Sequence, residues 1–124
     1  SAKGFVYSNG KSNAIRELLY RFPGEGICGL QLFGREPEFV AEAAQRLEGA
    51  GFSFLDLNFG CPAPKITGNG EGSALMKEPG QIAKVVRAAG MSRNAARNNR
   101  RKKRMEFLSG IRGVMTGVSA AGNL

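Results

Sequence analysis

Two short apolar runs, each set off by glycines, constrain this chain more than any other feature. Ile27–Phe33 reads ICGLQLF between Gly26 and Gly34, and Phe52–Phe59 reads FSFLDLNF after Gly49 and Gly51. The first, short and apolar on both faces, predicts a strand buried on both sides, as in a parallel sheet; the second predicts another strand, with Leu55, Leu57 and Phe59 on one face. The segment between them has a helical period. Pro37 suits a first turn, and Phe39, Val40, Ala43, Ala44 and Leu47 form a stripe, with Glu42, Gln45, Arg46 and Glu48 on the other faces. A strand, an amphipathic helix and a second strand predict an α/β fold of βα units with parallel strands.

The flanking segments extend that pattern. Ser1–Gly10 reads as a loop with a short extended piece around Phe5, Val6 and Tyr7. Ser12 or Asn13 is placed to cap a helix carrying Ile15, Leu18, Leu19 and Phe22, stopped by Pro23 and Gly24. Residues 60–72, GCPAPKITGNGEG, read as a loop. A further helix is expected from Glu78-Pro79 through Ile82, Val85 and Val86 to Ala89. Polar residues at the C-terminal ends of the two strands then lie at the edge where α/β folds bind ligands.

Charge divides the chain. Of 18 Lys and Arg against 10 Asp and Glu, residues 1–90 hold 10 basic and 9 acidic side chains, and residues 91–124 hold 8 basic and one acidic. This predicts a near-neutral body at 1–90 and a basic tail at 91–124. The run RNNRRKKR places Arg97, Arg100, Arg101, Lys102, Lys103 and Arg104 as candidate contacts to nucleic-acid phosphates, with no aromatic residue interleaved for base stacking. A solvated charge block is the competing reading. Phe107, Leu108, Ile111, Val114, Met115 and Val118 then resume a rough helical spacing, interrupted by Gly110, Gly113 and Gly117. That stretch is expected to form a helix over the sheet.

No run approaches the ~18 apolar residues of a membrane span, and no leader pattern opens the chain, so a cytoplasmic, non-membrane protein is expected. Two cysteines, Cys28 and Cys61, are too few for a disulfide scaffold, and the absence of histidine removes Cys–His pairs and His-containing zinc sites. No metal site is expected.

The segment Asp56-Leu57-Asn58-Phe59-Gly60-Cys61-Pro62 carries the chemistry. Asp56 and Asn58 are two apart and share a face of their strand. The strand delivers an amide and then a thiol into a loop, with Gly60 permitting close approach and Pro62 stiffening the turn. Cys61 on these grounds is a proton donor, a redox thiol or a plain buried cysteine. The last is the commonest state of a free cysteine. The glycine-rich GNGEG is not a P-loop, because no Lys-Ser/Thr follows it.

Residues 1–89 resemble the early part of a tRNA-dihydrouridine synthase. Ser1-Ala2-Lys3-Gly4 resembles the loop after the family's second barrel strand, and Gln31-Leu32-Phe33-Gly34 resembles its third strand. DLNFGCPAPK, from Asp56 to Lys65, followed by Gly68-Asn69-Gly70-Glu71-Gly72-Ser73-Ala74-Leu75, resembles its fourth strand and active-site loop. The resemblance implies a partial (β/α)8-barrel segment. A whole barrel needs roughly 250 residues, so this chain of 124 is expected to be an incomplete catalyst by itself. It further implies reduction of uridine in tRNA by FMN with NADPH as reductant. Cys61 would be the general acid to uracil C5, Gln31 a flavin ligand, Asn58 a contact to uracil or flavin, and Lys65 a contact to RNA phosphate. The lysine and histidine that the family's later strands supply to FMN have no counterpart here. Open sheet edges predict self-association. Two other readings stay open: another flavin barrel of the dihydroorotate-dehydrogenase kind, and a non-enzymatic basic protein that binds RNA or self-assembles.

Overall fold

The computed structural model describes the backbone of residues 1–121 and the side chains of residues 1–95, 97–102, 104 and 105. In chain order the elements are α1 (Ala2–Tyr7), α2 (Asn13–Leu18), β1 (Gly29–Leu32), α3 (Pro37–Leu47), β2 (Phe54–Leu57), α4 (Pro64–Thr67), a 3-10 turn (Gly72–Lys77) and α5 (Pro79–Ala121). The strands β1 and β2 pair in parallel, with Gly29 opposite Phe54 and Gln31 opposite Asp56. The α/β character and the parallel crossover through α3 are therefore as the apolar runs predict.

Among the described residues the sheet is covered on one face rather than two. Leu30, Leu32, Leu55 and Leu57 point to the core, whereas Gly29, Gln31, Phe54 and Asp56 alternate with them on the exposed side. The apolar residues alone conceal this, because Phe54 and the side-chain-free Gly29 share the open face with Gln31 and Asp56. Beneath the covered face lie Val40, Ala43, Ala44 and Leu47 of α3, joined by Val85 and Ala89 of α5 and Ala2 of α1. Alanines on the facing stripes of α3 and α5 let the two helices approach closely.

Four local expectations are corrected. Residues 2–7 are helical rather than extended: Ser1 Oγ accepts from the Gly4 amide at 3.1 Å, and Ala2, fully buried, donates its N–H to the Phe33 carbonyl at 2.9 Å. The second helix stops at Leu18, short of Pro23. The Arg21 guanidinium there bonds the carbonyls of Glu25, Gly26 and Gly51, drawing the chain into a turn. The loop after β2 contains α4, started by Pro64, and leads into the 3-10 turn. Finally, α5 does not end at Ala89 but runs on through Gly90. One interior glycine costs only about 1 kcal/mol relative to Ala, and Arg93, Arg97 and Arg100 all reach Glu48 from the continued helix. Of the stretch 105–118 expected to cover the sheet, Met105 is exposed and the remaining side chains lie outside the described residues. No helix among the described residues is long and apolar enough to cross a membrane.

Candidate functional site

The open face of the sheet holds a continuous polar row. Gln31 and Asp56 are register partners, so their side chains emerge side by side. Gln31 Nε2 donates to Asp56 Oδ2 at 2.6 Å, and Gln31 Oε1 accepts from Asn58 Nδ2 at 3.0 Å. Asn58 continues the ladder one step beyond β2 by donating its backbone N–H to the Leu32 carbonyl at 2.8 Å. Its side-chain Oδ1 then accepts from the amides of Gly60 at 2.9 Å and Cys61 at 3.2 Å. This is an Asx-type turn, in which a short side-chain amide supplies the acceptor that the bending backbone needs.

Cys61 is held from its other side as well. Its carbonyl accepts from Ser73 N at 2.9 Å. Gly72 packs against that carbonyl with φ +58, and a Cβ there would fall 2.4 Å from the Cys61 oxygen. Only glycine both adopts this backbone conformation and leaves the space. Cys61 is half-buried and unpaired in any disulfide. Cys28 precedes β1 and so lies at the opposite end of the parallel pair.

The predicted residues Gln31, Asn58 and Cys61 thus come together at the C-terminal edge of the sheet. Lys65 lies on α4, outside this row, and lines a cleft of about 290 Å³ with Phe33, Ile66, Asn69 and Glu71. Glu71 is the buried charged residue among the described residues. Burial, and then repulsion from Glu36, push its carboxyl above the ordinary range, against the pull of the Ser1 amino group and Lys3.

The basic run divides in two. Arg97 and Arg100 turn onto Glu48, at 3.2 and 3.0 Å, beside Arg93 at 2.6 Å. Burial raises the Glu48 carboxyl, but hydrogen bonds from Arg93 and Arg97 outweigh it and hold the group below its ordinary value. Arg101, Lys102 and Arg104 are exposed, whereas the side chain of Lys103 lies outside the described residues. Sequence reasoning places Asp56 on the face of Asn58 but gives it no role, and passes over Glu48 and Glu71 as site residues. For Asp56 a signal existed, since it shares strand parity with Asn58. Glu48 and Glu71 depend on tertiary placement that no periodicity carries.

A family model of dihydrouridine synthases matches residues 10–107, including the basic run. A probable tRNA-dihydrouridine synthase of Rickettsia conorii is 52% identical over 73 residues, which cover 59% of this chain and 22% of that protein. A probable tRNA-dihydrouridine synthase 1 of Synechocystis sp. is 42% identical over 65 residues, 52% of this chain and 18% of its own. A tRNA-dihydrouridine(47) synthase of Malassezia globosa, whose name specifies NAD(P)(+), is 40% identical over 78 residues, 60% of this chain and 10% of its own. The matches therefore span a fifth or less of the length of most of these relatives, 22% at the highest of the three.

Proposed function

The chain belongs to the dihydrouridine synthase family, and from that premise we propose that it carries the proton donor and the base-facing amides for FMN-dependent reduction of uridine to dihydrouridine in tRNA. In this reading β1 and β2 are neighbouring strands of the family's (β/α)8 barrel, and their C-terminal edge is its active-site end. The observation that carries the reading is the hydrogen-bonded row Asp56–Gln31–Asn58, which ends on the amides of Gly60 and Cys61.

The donor set fits a flavin edge. Each primary amide has two N–H donors and two acceptor lone pairs. Gln31 spends one donor on Asp56 and one lone pair on Asn58, keeping one of each for a ring that offers both carbonyls and an N–H. Gln31 would hold the flavin ring from its strand, and Asn58 would face the uracil or the flavin edge. FMN bound at this edge would supply hydride chemistry toward C6 of the uracil, with NADPH as the reductant. Cys61 supplies the matching proton: its S–H bond breaks, a C–H bond forms at C5, the 5,6 double bond becomes single, and solvent reprotonates the thiolate. The role requires a thiol rather than a thiolate at the moment of transfer. Lys65 and the exposed Arg101, Lys102 and Arg104 would meet RNA phosphates, as cations release counterions on doing so.

The test is dihydrouridine formation in tRNA by the full chain with FMN and NADPH. A general acid contributes about 10²–10⁴ in rate, so Cys61→Ala is expected to lower reduction by that factor while Cys28→Ala leaves it unchanged. Undiminished reduction by Cys61→Ala would overturn the assignment.

A further inference from the structure

We propose that Asp56 is a positioning residue: its carboxylate supplies the acceptor that completes the row set by the Gly60 and Cys61 N–H groups, and so locks the direction of the hydrogen bonds from β1 to the Cys61 loop. The proposal deepens the reading above and rests on it for the role of Cys61.

The row is bounded at one end by backbone N–H groups, whose polarity cannot change, and at the other by a carboxylate, which only accepts when ionised. At one end are the backbone N–H groups of Gly60 and Cys61, which only donate, so the atom of Asn58 facing them is its oxygen. Asn58 Nδ2 is thereby turned to Gln31, whose facing atom must accept. Gln31 Nε2 is then left pointing at position 56, and it needs an acceptor there. A carboxylate is acceptor-only when ionised, and a hydrogen bond to it is shorter and stronger than one between neutral groups. The 2.6 Å contact is the shortest link of the row.

This has a consequence for recognition. Asn58 Oδ1 has both lone pairs engaged by Gly60 and Cys61, so Asn58 has no acceptor left and offers an incoming base one N–H. Such a group pairs with a ring carbonyl and is repelled by an exocyclic amine. Asp56, acting through Gln31 and without touching substrate, thereby reinforces Asn58 as a donor toward a pyrimidine that carries a carbonyl.

Amide hydrogen exchange by NMR on the full chain tests this without flavin or RNA. Asp56→Ala removes the acceptor and is expected to speed exchange at Gly60 and Cys61 about tenfold, with Ala43 and Ala44 of α3 unchanged. Asp56→Asn can turn its own oxygen to Gln31, so Gly60 and Cys61 are expected to stay within about threefold of the parent chain, while the Gln31 side-chain amide resonances shift. Unchanged protection in Asp56→Ala, or equal loss in both variants, would overturn the proposal. Should Asp56→Ala loosen α3 as well, Asp56→Asn decides: unmoved Gln31 amide resonances with α3 intact would overturn it. Because no readout uses uridine reduction, failure of the row and failure of the Cys61 acid role appear in different experiments.

Discussion

The Glu48 carboxylate, at the C-terminal end of α3, accepts a 2.6 Å hydrogen bond from Nε of Arg93 on α5. A negative charge there opposes the α3 dipole, and Arg93, Arg97 and Arg100 together offset it. Replacing Glu48 with Gln leaves Arg93 partly buried without its counter-charge, while the half-exposed Arg97 and Arg100 return to water. The expected loss is about 1–2 kcal/mol, between the values for surface and buried pairs, read from chemical denaturation at neutral pH. The folded value of Glu48 lies below its ordinary one. Its contribution is therefore complete above the unfolded value of about 4.3 and is lost as pH falls through the lower folded value. Glu48→Gln should lack that acid-side loss. An identical acid profile would count against the clasp.

Glu71 has the opposite sign. Its folded value is raised, so the stability linked to it is fully present below the unfolded value and is lost as pH rises through the folded one. Glu71→Gln is expected to match the parent near pH 4 and to exceed it in denaturation midpoint at pH 7. Parallel curves for the two chains would show that the carboxylate bears no burial cost.

Gly72→Ala tests the seat of the Cys61 loop. The new methyl would need both φ +58 and the space taken by the Cys61 carbonyl. A loss of about 1–3 kcal/mol is expected, together with faster alkylation of Cys61 by a thiol reagent. Unchanged stability and alkylation would mean that the loop yields freely.

The division of the basic run gives an ordering for RNA. The exposed Arg101, Lys102 and Arg104 should contribute more to tRNA affinity than Arg97 and Arg100, which already bond Glu48. By fluorescence anisotropy, alanine at all three exposed positions should weaken binding and flatten its salt dependence between about 50 and 200 mM more than alanine at 97 and 100. The reverse order would place the RNA on the Glu48 side of α5.

The parallel strands and α3 were legible because each rests on a local signal: short glycine-bounded apolar runs and a 3.6-residue stripe. The convergence of Gln31, Asn58 and Cys61 was legible only through the motif. Periodicity places Asp56 and Asn58 on one face but cannot supply the register that brings Gln31 beside them. Ala2, Phe5 and Val6 of helix α1 have helical spacing, but six residues are too few for a period to stand out, so the segment reads as a loop with an extended piece. The continuation of α5 past Gly90 depends on Glu48, more than 40 residues earlier in the chain, as the pairing of Arg93 with it records.

The most direct measurement is a titration of the purified chain with FMN, followed in the visible absorption of the flavin, beside the Gln31→Ala variant. A saturable change in the flavin band is expected with the parent chain and is expected to be lost in Gln31→Ala. No change with the parent chain, or the same change with the variant, would contradict the assignment of this sheet edge as the flavin-facing site.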